Sequence, residues 1–110
     1  MSSKWRDMAE KVLENDDGIQ KSYPGTLNGK RGYLMMSNQK LVFVHEEGFI
    51  RKTYDLTLDL PYGKIGKISP QGKYELEITD INGVKHIFKT EELNVSIVEN
   101  GLEELRSPTK

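Results

Sequence analysis

His45 and His86 are the chain's two imidazoles; they lie far apart, each in a segment that reads as a strand, with no histidine nearby. Zinc sites assemble from His, Cys or carboxylate ligands at short spacings, and the chain contains no cysteine. His86 shares an alternating face with Val84 and Phe88, which points to a partly buried, hydrogen-bonded ring rather than a ligand. Asp55 and Asp59 fall on the polar face of one strand, four residues apart, so acid/base cooperation would require something to bring them together. Asp16 and Asp17 read as a helix-end turn, because the ligand spacing and terminal glutamate of a calcium loop are missing. No GxSxG elbow, HExxH pair, Walker loop or GxGxxG fingerprint is present. The expectation is therefore no catalytic residue, no metal ligand and no cofactor. A small hydrolase would need two titratable groups converging in a deep polar cleft.

Charge segregation carries more information. The 16 basic and 17 acidic residues leave a net charge of -1, so no global field gathers nucleic acid or an anionic bilayer. Yet residues 18–74 hold nine basic residues against four acidic ones, while both flanks are acidic. Lys30 and Arg31 precede one strand, Lys40 lies just past a turn, and Arg51 and Lys52 open another strand. These five are the candidate ligand-binding residues if the fold collects them at one rim. Each well-placed cation contributes about 1 kcal/mol toward an anionic membrane, an attraction that salt weakens. The competing reading is solvated charge that protects sheet edges. Tyr33, Tyr62 and Tyr74 near basic residues resemble a stacking platform for single strands, but aromatics of a β fold more often fill its core, and nucleic acid is not the expected partner.

The elements that must position these groups follow from periodicity. Trp5, Met8, Ala9, Val12 and Leu13 form one helical stripe, so an amphipathic helix is expected over residues 5–15, stopped by the polar run ending at Gly18. A helix this short needs tertiary packing, and Trp5, Met8 and Val12 are expected to pack in cis, with a second chain as the alternative. After Gly18 the period shortens to that of strands. Pro24 cannot donate to a ladder, so in residues 19–27 it suits only a strand edge, an end or a bulge; Ser37, Asn38 and Gln39 join two strands, and Glu46, Glu47 and Gly48 reverse the chain again. Tyr54, Leu56, Leu58 and Leu60 alternate with polar residues, predicting one apolar face. Asn82–Gly83 predicts a type I′ hairpin. Met35 and Met36 must point to opposite sides, so only one is expected in the core. Thr90 is placed to cap a helix over residues 91–105, which Gly101 would bend or end. With 110 residues, one core is expected. The boundaries are 1–17 for the N-terminal helix, 18–106 for the β domain and 107–110 for a flexible tail.

Residues 32–49, GYLMMSNQKLVFVHEEGF, resemble the second and third strands of GRAM and bacterial pleckstrin-homology-like domains, through Gly32, Leu34, Ser37, Asn38, Lys40, Leu41, Val42 and Phe43. Residues 60–68, LPYGKIGKI, are similar to that family's proline-containing bend and following strand. The resemblance implies a mainly β fold: a seven-stranded split barrel capped by a C-terminal helix, here with an additional short N-terminal helix. It also implies a noncatalytic module for protein or anionic-lipid recognition. A structural or oligomerisation domain is a further alternative. The longest purely aliphatic or aromatic run, residues 41–44, is far short of a membrane span. Without cysteine the chain suits a reducing compartment, so a cytoplasmic protein, peripheral at a membrane, is expected.

Overall fold

The computed structural model describes residues 4–14 and 16–106; the expected tail at 107–110 and the helix end at Asn15 lie outside them. The elements in chain order are α1 (Lys4–Glu10), β1 (Ile19–Leu27), β2 (Lys30–Ser37), β3 (Lys40–Glu47), β4 (Thr53–Pro61), a 3-10 turn (Tyr62–Lys64), β5 (Ile65–Pro70), β6 (Glu75–Asp80), β7 (Lys85–Lys89) and α2 (Val95–Arg106). All strand pairings are antiparallel, in the order β4-β3-β2-β1-β7-β6-β5. The sheet is open: β4 and β5 are its two edges and do not pair, which corrects the expected closed split barrel. Closure fails between the two strands joined by the Tyr62–Lys64 turn. The sheet nevertheless bends over its own inner face. Phe43 of β3 and Phe88 of β7 meet edge to face with centroids 6.3 Å apart, although three strand spacings would hold them about 14 Å apart in a flat sheet.

Both faces are covered. On the inner face, Leu34, Met36, Leu41, Phe43, Leu58, Leu76, Ile78 and Phe88 pack with Val95, Val98 and Leu102 of α2. Each α2 side chain in that core contributes roughly 1.5–3 kcal/mol of apolar burial. On the outer face, Ile19, Met35, Val42 and Val44 pack under Trp5, Met8 and Ala9 of α1 and under Val12 and Leu13. Met35 and Met36 are therefore both fully buried, one in each core, where a single buried methionine was expected. Trp5 stacks on Tyr33 at 4.2 Å, so the N-terminal helix packs in cis.

Several local expectations change for identifiable reasons. α1 stops at Glu10 rather than Asn15, as the following bonds tighten to Val12 N–H on Ala9 O and Leu13 N–H on Glu10 O. A bulge between Phe43 and Val44 pairs Leu58 with Phe43 but Leu56 with Val44. That bulge sends Leu58 and Leu60 inward and Tyr54 and Leu56 outward, so β4 has no single apolar face. The two-positive-φ turn falls at Asn28–Gly29 (φ 53° and 87°), whereas Gly83 (φ 86°) is positive without Asn82. Thr90 does not cap α2: its hydroxyl donates to Leu93 O, and Asn94 Oδ1 instead accepts from Ser96 N–H at 2.9 Å. Gly101 leaves α2 intact and lies against Lys21 and Tyr23 of β1. Among the described residues, no helix is long and apolar enough to cross a membrane.

Candidate functional site

The β2–β3 hairpin and the β3–β4 loop place the five candidate cations at opposite ends of the sheet. Gly32 pairs with His45 and Met36 with Leu41, so Arg31 lies near the close of β3 and Lys40 at its start, separated by roughly 20 Å of strand. Lys40 is committed to structure. Its ammonium donates to Val12 O at 3.0 Å and pairs with Asp59 at 3.0 Å. Beside it, the Asp17 carboxylate accepts from Ser37 Oγ at 2.7 Å, Asn38 N–H at 2.8 Å and Gly18 N–H at 2.9 Å. Tyr62 Oη donates to Ser37 O at 2.6 Å. Burial, and secondarily the Asp17 charge, push the Tyr62 hydroxyl well above the ordinary tyrosine range.

At the other end, the chain between β3 and β4 rises into a short tip. Gly48 makes this possible: its φ is +103°, and a Cβ there would stand 2.3 Å from Arg51 O. Phe49 and Ile50 follow, 98% and 97% exposed. Single exposed apolar residues are ordinary; here two bulky neighbours stand almost wholly in water directly before two cations. Phe49 and Ile50 share a cleft of about 610 Å³ with Lys4, Arg51 and Lys52. Phe49 also shares one of about 430 Å³ with Arg31, Glu46 and Lys52. The fold thus collects Arg31, Arg51 and Lys52 around Phe49, adds Lys4 from α1, leaves Lys30 at the β1–β2 turn outside both clefts, and sends Lys40 away.

The base of the tip is tied down while its crest is not. Glu46 accepts from Tyr54 Oη at 3.1 Å and sits 3.8 Å from Lys52 Nζ; burial, then Glu46, raise the Tyr54 hydroxyl above its usual value. His45 Nδ1 lies 2.8 Å from Arg31 O, so that nitrogen carries the proton, and Nε2 lies 3.5 Å from Glu47. Arg31 and Arg51 form no ion pair among the described residues. Sequence reasoning missed Lys4, Phe49 and Ile50. The available signal was a pair of bulky apolar residues in a turn, directly before two cations.

The other candidates disperse. Asp59 is engaged by Lys40, whereas Asp55 pairs in register with His45, and the bulge between them turns the two carboxylates to opposite faces. His86 lies 3.4 Å from Asp80. Among the described residues, no group of three or more His, Asp or Glu could hold a metal ion. Tyr33 stacks on Trp5, Tyr62 is tied to Ser37, and Tyr74 lies just before β6, so they form no shared platform.

No family model and no curated protein matches the chain. The GRAM and pleckstrin-homology-like assignment drawn from residues 32–49 thus gains no support. Among solved structures, the chain is similar to the C-terminal domain of an unknown protein from Leishmania infantum, at 14% identity and a TM-score of 0.64, covering 93% of this chain and 90% of that one. That likeness concerns the fold alone.

Proposed function

We propose that this protein is a noncatalytic module that docks on anionic membrane surfaces through the β3–β4 tip. The observation that carries the reading is the pair Phe49 and Ile50, almost wholly exposed and flanked by Arg51 and Lys52. Two such side chains entering the headgroup boundary gain apolar burial of a few kcal/mol. The cations beside them add about 1 kcal/mol each against acidic lipid. Recognition is by surface complementarity, with no bond made or broken, and the cytoplasmic, membrane-peripheral location expected from the sequence belongs to the same proposal.

Co-sedimentation with phosphatidylcholine vesicles, with and without phosphatidylglycerol, at low and moderate salt tests it. Binding to the acidic vesicles is expected, weakening with salt and falling about tenfold or more in a Phe49→Ser, Ile50→Ser variant. Absence of binding to both compositions at both salts overturns the reading. Salt-insensitive binding with no preference for acidic lipid overturns it as well.

A further inference from the structure

β1 and β7 pair only at Thr26↔Lys89 and Leu27↔Phe88. Beyond Lys89 the chain swings away, with Thr90 N–H donating to Tyr74 O at 2.9 Å and Val95 N–H to Lys73 O at 2.7 Å. The fork so formed holds a groove of about 470 Å³, within the usual size of small-molecule sites. Its floor includes Gly25 and Gly32, opposite each other in the β1–β2 register, where a Cβ at Gly25 would stand 2.7 Å from the Phe88 ring and one at Gly32 2.0 Å from Val44 O. Arg31 stands in one wall; Glu91, Glu92 and Leu93 form another.

Arg31, Glu91 and Glu92 make no ion pair among the described residues. Glu46, also in the wall, is already held by Tyr54 and Lys52. A simple phosphate is repelled by the glutamates, and a simple amine by the arginine. A ligand carrying both charges satisfies both walls. Arg31 also lines the cleft under Phe49, so the groove opens beside the surface proposed to meet the membrane.

We infer that the fork binds a phosphoethanolamine headgroup, its phosphodiester on Arg31 and its primary ammonium at Glu91 and Glu92. This deepens the membrane reading and rests on it for delivery of the lipid. Discrimination comes from the ammonium: a primary amine donates three hydrogen bonds, whereas the quaternary nitrogen of choline donates none.

The test titrates the whole protein with soluble glycerophosphoethanolamine, glycerophosphocholine and glycerol phosphate, following backbone amide resonances. Saturable shifts at Gly25, Gly32 and Leu93 are expected with the first probe, with about fivefold or more weaker affinity for the other two. A Glu91→Gln, Glu92→Gln variant with an unchanged amide spectrum elsewhere should bring the ethanolamine-to-choline ratio to near one. On vesicles of fixed phosphatidylglycerol content, exchanging phosphatidylcholine for phosphatidylethanolamine should tighten binding of the native protein several-fold and leave the variant unmoved. No shifts at the fork, or equal shifts with all three probes, overturn the inference even if acidic vesicles still bind. Selective shifts at the fork without any vesicle binding uphold the headgroup site and overturn the membrane reading instead.

Discussion

Where β3 begins, Lys40 is held between Val12 O and Asp59 while Asp17 saturates its carboxylate on Ser37, Asn38 and Gly18; where β3 ends, Arg31 and Arg51 stand around an exposed Phe49 without ion pairs among the described residues. Both ends carry cations on an antiparallel hairpin. The difference lies in what the neighbouring chain supplies. At the first end the segment leaving α1 crosses the hairpin and offers a carbonyl and a carboxylate. At the second, a glycine-dependent turn lifts the chain off the sheet, and little protein lies beyond it. Lys40 is tied to the segment after α1 and to β4, whereas the cations around Phe49 are the ones proposed to meet the membrane.

The largest expected contrast is in stability. Asp17→Ala removes the acceptor of three hydrogen bonds and should cost about 2–3 kcal/mol by urea unfolding, with vesicle binding per folded molecule unchanged. Arg51→Ala with Lys52→Ala should stay within about 0.5 kcal/mol of the parent protein while weakening binding to acidic vesicles about fivefold or more at low salt. If the tip variant proves the less stable of the two, the division of labour between the ends is wrong. A smaller effect is expected for Lys40→Met, about 1 kcal/mol, because Asp59 keeps access to water once its partner is gone.

Titration sharpens the same comparison. The Tyr62 hydroxyl is held neutral by burial and by Asp17, so its contribution is complete below the ordinary tyrosine value near 10 and is lost as pH rises above it, where the unfolded chain ionises and the folded one does not. Tyr62→Phe should flatten the alkaline limb of the stability profile; an unchanged slope contradicts the buried assignment. The smallest effect belongs to Asp80 in the β6–β7 turn. The Val84 backbone N–H first, then those of Asn82 and the His86 ring, hold its carboxyl below the usual range. Its contribution is full above the ordinary carboxylate value near 4 and fades as pH falls below it. Asp80→Asn should therefore narrow the stability difference between neutral and acid solution.

Much of this architecture was legible from periodicity. The strands around Tyr33, Leu41 and Leu76 follow from their spacing alone. Openness was not, because alternation within each strand is the same whether or not β4 and β5 pair. The β4 alternation looked like one face because a single-residue bulge leaves no mark in a hydrophobic pattern. At Asp80 the side chain takes the N–H groups of Asn82 and Val84, replacing the type I′ geometry that Asn82–Gly83 suggested, while Asn28–Gly29 adopts two positive φ values. Asn94 outcompetes Thr90 as the cap because Thr90 spends its hydroxyl on Leu93 O.

The candidate site was half legible for a similar reason. Arg31, Arg51 and Lys52 converge through a hairpin and a loop, relations of register that charge counting does not contain. Lys40 looked equivalent to them until the β2–β3 turn carried it to the far end. Phe49 and Ile50 were legible in type but not in exposure, since the same residues in a strand would have been core.

The most direct measurement of the central claim places a reporter at the tip. With Trp5→Phe removing the native indole, Phe49→Trp puts the chain's sole tryptophan at the proposed point of entry. On phosphatidylglycerol-containing vesicles its emission should shift to the blue and be quenched by brominated acyl chains, with neither change on phosphatidylcholine alone. Emission that stays that of a water-exposed indole, while the protein sediments with the acidic vesicles, would contradict insertion of the tip.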